Sequence, residues 1–413
     1  MDFDRINIGA VSYKVKDTTA RKQISDETSA RKQEDAQLSQ KISNETTARE
    51  QADSQLSQQI SNETAAREQA DSQLSQQISE LPSGKVYDVY DEIGTTISAL
   101  TIPDDCAIVW FRPASYILQN KITISKQVKI ICTGATIQAD NGAFNLQKQA
   151  EVDGGTFFNS GEKNTALSTA FIDCFASGSV VKNSAFKNAP AGITINYGVS
   201  DVVISNCTFS NLYSHTIAAV WTGDNNSNIL VENCYFEKIS IDGIHIDATH
   251  SRIEGCYFDN IGNDGPYHTG AAGASAIYNE ITGTNIELVV DGCEFYNCGE
   301  YAVNANTSMG GVFNCKSQIS GAGGIRVVNY GRYIGNLIIS SKNNGVNVPG
   351  AFAMFENGYM ITLIGNQIQG CTHVLGAAPD ATCSTGVAVG NAWQSCDNGI
   401  SESFTGTIAN NLT

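Results

Sequence analysis

The chain has 413 residues, enough for two or three domains, and a formal net charge of -17 from 42 acidic and 25 basic side chains. That balance excludes nucleic acid as a partner, since phosphate binding needs clustered Lys and Arg, and it excludes adsorption to an anionic membrane. No run of roughly 18 apolar residues is present, so no membrane insertion is expected.

The opening MDFDRINIGAVSYKVKD is polar and lacks an apolar leader. Folding in the cytoplasm is therefore expected, with the 12 cysteines reduced. Residues 1–16 form a separate opening segment.

Residues 17–81 are a near-exact repeat: SDETSARKQEDAQLSQKI, SNETTAREQADSQLSQQI and SNETAAREQADSQLSQQI, preceded by DTTARKQI. A period of 18 is five helical turns, so the same face returns without drift. Ala48, Ala52, Leu56 and Ile60 make a thin apolar stripe, and Glu45 and Glu63 precede Arg49 and Arg67 by four, the favourable order for ion pairs. Ser43 and Ser61 are possible local caps, although the pattern runs through them. One helix cannot bury such a stripe alone. A nearly straight multi-chain bundle is predicted, because a period of 3.6 exceeds the ~3.5 of a left-handed coiled coil.

Residues 82–115 are a junction, in which the apolar stretch Cys106 to Phe111 is expected to cap the C-terminal domain. From 116 to 413 a looser repeat takes over. GATI, GGTF, NSAF, NCTF, NCYF, GCYF, GCEF, NCKS, GNLI, GNQI, GNAW and ANNL recur once per ~20–37 residues, which is the signature of a solenoid. Period-2 alternation puts Cys207, Cys234, Cys256, Cys293 and Cys315 in one interior ladder and the Phe residues in another.

These rungs resemble the coils of right-handed parallel β-helix proteins of the pectate-lyase-like superfamily. Together with the helical repeats, they look like the tail spikes and tail fibres of phages and prophages. The resemblance implies an all-β right-handed parallel β-helix behind an N-terminal helical stalk, assembled as a homotrimer. It also implies a bacterial surface polysaccharide as ligand, tail or baseplate proteins bound through the N-terminus, and a place in the virion tail. In that family a further C-terminal domain is usual, whereas this sequence stops on a rung at NNLT.

A site must be argued from residues rather than fold. About ten residues after each ladder position comes a second strand: GITIN, GIHID, EYAVNAN, GGIRVV and GVNV. With Ile244 and Ile246 inward, His245 and Asp247 face out, in line with Thr194, Asn196, Asn304, Asn306 and Arg326. AIYNEI adds Tyr278 and Glu280 from the intervening coil. At ~4.8 Å per coil, Asp247 and Glu280 fall roughly 5–8 Å apart, a spacing suited to glycoside hydrolysis. His245 could assist proton transfer and Arg326 could meet a uronate. The longest insertion, NIGNDGPYHTGAAGAS, brings Asp264 and His268 to the same region, and Asp242 precedes the strand in a DG pair. Aromatic candidates are Trp221, Tyr267, Tyr330 and Tyr333.

Asp247, Glu280 and His245 are thus the catalytic candidates. Asp242, Tyr278, Asp264, His268, Asn304, Asn306, Arg326 and Trp221 are the substrate-binding ones. No cofactor is expected. A metal held by His245, Asp247 and His250 is an alternative that the DxxH spacing does not diagnose. Depolymerase, with hydrolysis preferred to elimination, non-enzymatic receptor-binding fibre, and structural adhesin or stalk all stay open, with a secreted pectin lyase behind them.

Overall fold

The computed structural model describes residues 5–8, 11–14, 18–79, 85–161, 169–214, 218–262, 274–279, 287–305, 309–318, 323–326, 330–339, 350–354, 360–377, 386–402, 404 and 406–412. The chain divides into two units, Met1–Leu81 and Pro82–Thr413.

In the first unit, Arg5–Ile8 pairs antiparallel with Val11–Lys14, and a single α-helix runs from Thr18 to Ser79, ~93 Å at 1.5 Å per residue. It passes through Ser43 and Ser61, so neither is a cap. The mid-helix hydroxyls are satisfied one turn back instead: Thr46 Oγ1 donates to Ile42 O and Thr64 Oγ1 to Ile60 O. In the first copy, Arg31 pairs with Glu27 at 2.7 Å, both well exposed. The stripe residues Ile24, Leu38, Ile42, Leu56 and Ile60 are exposed in this one chain.

The second unit is a right-handed parallel β-helix. Among the described residues its strands stack into three parallel sheets of 14, 13 and 12 strands, called here sheets I, II and III. The full coil visits them in that order, as in Val203–Ser205, Thr208–Leu212 and Val220–Thr222. Lys85–Asp88 and Cys106–Trp110, which the sequence placed in the junction, are the first two strands of sheet I. A short helix, Val89–Glu92, comes after the first strand, with Asp88 accepting from the N–H groups of Tyr90 and Asp91.

The rung motif has a conformational cause. Sheet I and sheet II strands are joined by two residues, and the first needs a left-handed backbone: φ is 52° at Asn206, 51° at Asn233, 58° at Gly255 and 62° at Gly292. Asn and Gly tolerate that region and most residues do not. The second residue turns inward, giving the buried ladder Cys207, Cys234, Cys256, Cys293 and Cys315, all free thiols. At the next coil the ladder changes to Asn. Cys315 N–H donates to Asn336 Oδ1 at 3.0 Å, Asn336 N–H to Asn366 Oδ1 at 3.0 Å, and Asn366 N–H to Asn391 Oδ1 at 3.1 Å. The last rung sits one residue later than the motif suggested: Asn410 takes the left-handed turn (φ 54°) and Asn411 continues the ladder.

Two residues beyond each ladder position, Phe157, Phe186, Phe209, Phe236, Phe258 and Phe295 stack with ring centroids 4.7–5.4 Å apart. Sheet III accommodates them with small residues. A Cβ on Gly243 would lie 2.9 Å from the Phe258 ring, so the glycine of the DG pair has a packing reason.

Two expectations need correction. Tyr333 is not a surface aromatic; it is a core residue of sheet I, 2% exposed. The sheet III strand above Gly323–Arg326 is Gly350–Met354 rather than GVNV, which lies outside the described residues. Tyr267 also lies outside them, and Tyr330 is exposed.

Candidate functional site

The outward face of sheet III carries one in-register column. Trp221 pairs with His245, His245 with Tyr278, Tyr278 with Asn304, and Asn304 with Arg326. Parallel in-register pairing puts these side chains one above another at ~4.8 Å per coil. Five candidates scattered over about a hundred residues of sequence are thereby brought into a line. Below Trp221 the column continues through Thr194 and Asp173, where Thr194 Oγ1 donates to Asp173 Oδ1 at 2.5 Å and Lys121 Nζ pairs with Asp173 Oδ2 at 2.5 Å.

The middle of the column is aromatic and holds a His–Asp pair. The His245 ring meets Tyr278 edge-on with centroids 4.9 Å apart and tilts against Trp221 at 6.4 Å. His245 Nε2 lies 2.7 Å from Asp247 Oδ2. A carboxylate can only accept, so the neutral ring carries its proton on Nε2 and its lone pair on Nδ1. Ile244 and Ile246 are inward, as the alternation requires. Asp247 is on the same side as His245 but is 7% exposed. Its N–H donates to the buried Thr222 Oγ1 at 2.6 Å, and Asn279 Nδ2 on the next coil donates to Ile246 O. These bonds hold the short strand Ile244–His245 and the residues after it in place.

Asp242 is turned away from this line. It is 3% exposed, and its Oδ1 accepts from Ser275 N–H at 2.7 Å, tying one coil to the next. Asn304 is buried and accepts from Arg326 Nη1 at 3.3 Å. Glu280, Asp264, His268 and Asn306 lie outside the described residues. Among the described residues no group of three or more His, Cys, Asp and Glu side chains could hold a metal.

Three participants were not anticipated. Tyr197 is 65% exposed and packs edge-on against Trp221, centroids 6.0 Å apart; its place after GITIN was visible, but its partner was not. Thr222 supports Asp247 from the coil below. Burial pushes the carboxyl of Glu300, immediately before the strand Tyr301–Ala305, above the usual range, and the Arg326 charge offsets part of that rise.

A family model described as "Right handed beta helix region" matches residues 90–281. Solved structures similar to the chain include a surface adhesin of Streptococcus pneumoniae, PfbA (12% identity, 70% of this chain and 83% of that one, TM-score 0.47). DFA-IIIase from Arthrobacter chlorophenolicus is similar at 11% identity (75% and 84% covered, TM-score 0.47). Endopolygalacturonase I from Stereum purpureum is similar at 12% (79% and 98% covered, TM-score 0.44). At these identities and scores the likenesses carry no reading of substrate or activity. No curated protein matches the chain.

Proposed function

We propose that the chain is a glycan-directed spike or fibre of a phage-like particle, and that the outward column of sheet III binds and hydrolyses a bacterial surface polysaccharide. The observation that carries this reading is the His245–Asp247 pair, 2.7 Å apart, set between Trp221 and Tyr278 in one axial line. Aromatic faces take the C–H side of sugar rings, and polar groups spaced one per coil suit repeated hydroxyls. Asp247 acts as the nucleophile or base, with Glu280 as its acid partner and His245 orienting it or passing its proton. The apolar helix stripe is buried by two further copies of the chain, and residues 1–16 attach to tail or baseplate proteins.

The test is release of reducing ends from purified capsule and cell-wall polysaccharides, with ultraviolet absorbance monitored for the unsaturated product of elimination. Asp247→Asn and His245→Gln are each expected to lower the rate by ~10²–10⁴-fold. Undiminished turnover in both variants would remove the assignment. A second reading, a receptor-binding fibre without catalysis, is favoured by the burial of Asp247. It predicts glycan binding that survives in Asp247→Asn and no product from any glycan.

A further inference from the structure

Tyr197 stands beside the outward column rather than in it. It comes two residues after the strand Ala191–Ile195, on the coil below Trp221, whose in-register neighbour there is Thr194. Backbone bonds fix it from both sides: Asn196 N–H donates to Cys174 O at 2.9 Å, and Gly198 N–H donates to Asp224 O at 3.2 Å. The left-handed φ of 72° at Gly198 turns the chain immediately after it. The ring rests on Gly223, where an added Cβ would come within 3.0 Å of Tyr197 Cγ and Cδ1. It meets Trp221 at 78° with centroids 6.0 Å apart, and it is still 65% exposed. A lone exposed tyrosine means little. This one is pinned by its backbone, seated on a glycine and set nearly at right angles to a second aromatic ring.

We propose that Tyr197 and Trp221 form a corner that seats one hexopyranose unit of the glycan, with the C–H face of the sugar laid on the Tyr197 ring. This rests on the glycan reading above and adds to it a substrate class, a galacto-configured sugar. The negative face of an aromatic ring attracts polarised C–H groups and offers hydroxyls little, so it selects a sugar with an unbroken C–H patch. The axial O4 of galactose leaves H3, H4 and H5 together on the opposite face, whereas in glucose H4 lies apart from the other two. The corner needs little ordering on binding, because the Tyr197 backbone is already fixed. Trp221 is one coil below His245, ~4.8 Å away along the axis, so the seated unit adjoins the His245–Asp247 pair.

The experiment titrates the full chain with methyl β-galactopyranoside and methyl β-glucopyranoside and follows saturation-transfer NMR. The wild type is expected to bind the galactoside more tightly, with the strongest transfer to H3, H4 and H5. Tyr197→Ala should weaken the galactoside on the order of tenfold, the size of one aromatic contact. Tyr197→Phe should keep the wild-type affinity, because the face and not the hydroxyl makes the contact. An unchanged melting temperature in both variants reports that the fold is intact. Equal affinity for the glucoside, no galactoside binding by the wild type, or undiminished binding in Tyr197→Ala overturns the corner. Surface glycans that bind the column whatever stands at position 197 would end the corner and leave the glycan reading standing. A galactoside bound through Tyr197, with no surface polysaccharide bound, would do the reverse.

Discussion

Single positions in this solenoid have separable physical jobs. The turn residue supplies a left-handed φ, so Asn233→Ala should cost about 1 kcal/mol in chemical denaturation, while Asn233→Gly should be close to neutral. The stacked residue supplies buried area: Phe236, between Phe209 and Phe258 at 4.7 Å each, should cost about 3–5 kcal/mol as Ala. The stack has one polar interruption. Ser317 takes the position of Phe295 one coil later, is 2% exposed, and its hydroxyl has no partner. Removing an unpaired buried hydroxyl is favourable, so Ser317→Ala should raise stability by about 1 kcal/mol, read as a higher denaturation midpoint. Glu300 gives a pH signature. Its folded-state proton affinity is raised, so the folded chain binds more protons there and loses stability as pH rises from the unfolded value through the folded one. Glu300→Gln should therefore match the wild type in acid and exceed its melting temperature at neutral pH.

At the level of elements, the two ladders differ in what they tolerate. The cysteine ladder is held mainly by packing and by thiols donating to carbonyls one coil back, as from Cys234 Sγ to Ile204 O at 3.7 Å. Burial keeps the Cys174 thiol on sheet III protonated, pushing it up to about 12. The asparagine ladder is held by amide bonds in both directions: Asn366 Oδ1 receives Asn336 N–H, and Asn366 Nδ2 donates to Tyr333 O at 2.8 Å. Asn366→Ala leaves a buried N–H and a buried carbonyl unpaired, and should cost about 2–4 kcal/mol by denaturant titration. The helix presents the opposite case, an element complete in its own hydrogen bonds and incomplete in burial. Leu56 is 55% exposed and Ile60 is 59% exposed. Sedimentation equilibrium of the full chain should give a trimer, and Leu56→Asp with Ile60→Asp should give a monomer with an unchanged β-helix. A monomeric wild type would remove the bundle.

Over the whole molecule, the solenoid converts sequence distance into a short axial line. Trp221 and Arg326 are four coil steps apart, ~19 Å at the usual strand spacing. Loops of different length enter the coil without disturbing the register, because each coil closes on its own ladder before the next begins. This is why the long segment 260–275 can sit between His245 and Tyr278 while those two residues remain partners.

The repeats were legible in the sequence alone: the 62-residue helix from an 18-residue period, the β-helix from the Asn/Gly–Cys/Asn rung, and the interior Cys and Phe ladders. These are local rules of helical pitch, left-handed φ and two-residue alternation, and each is readable in a few residues. The outward alignment of His245, Asn304 and Arg326, with Tyr278 from the intervening coil, was readable too once the rungs were aligned, whereas the place of Trp221 in that line came from the folded stack. Which of those groups stay open to solvent and which are drawn in was settled by the folded stack. It buried Asp242, Asp247 and Asn304, put Tyr333 in the core, and moved the last rung by one residue. It also set Tyr197 against Trp221. Alternation specifies which side of a strand a residue takes. Burial and partnership depend on what the neighbouring coils place over it, and that is a property of the stack.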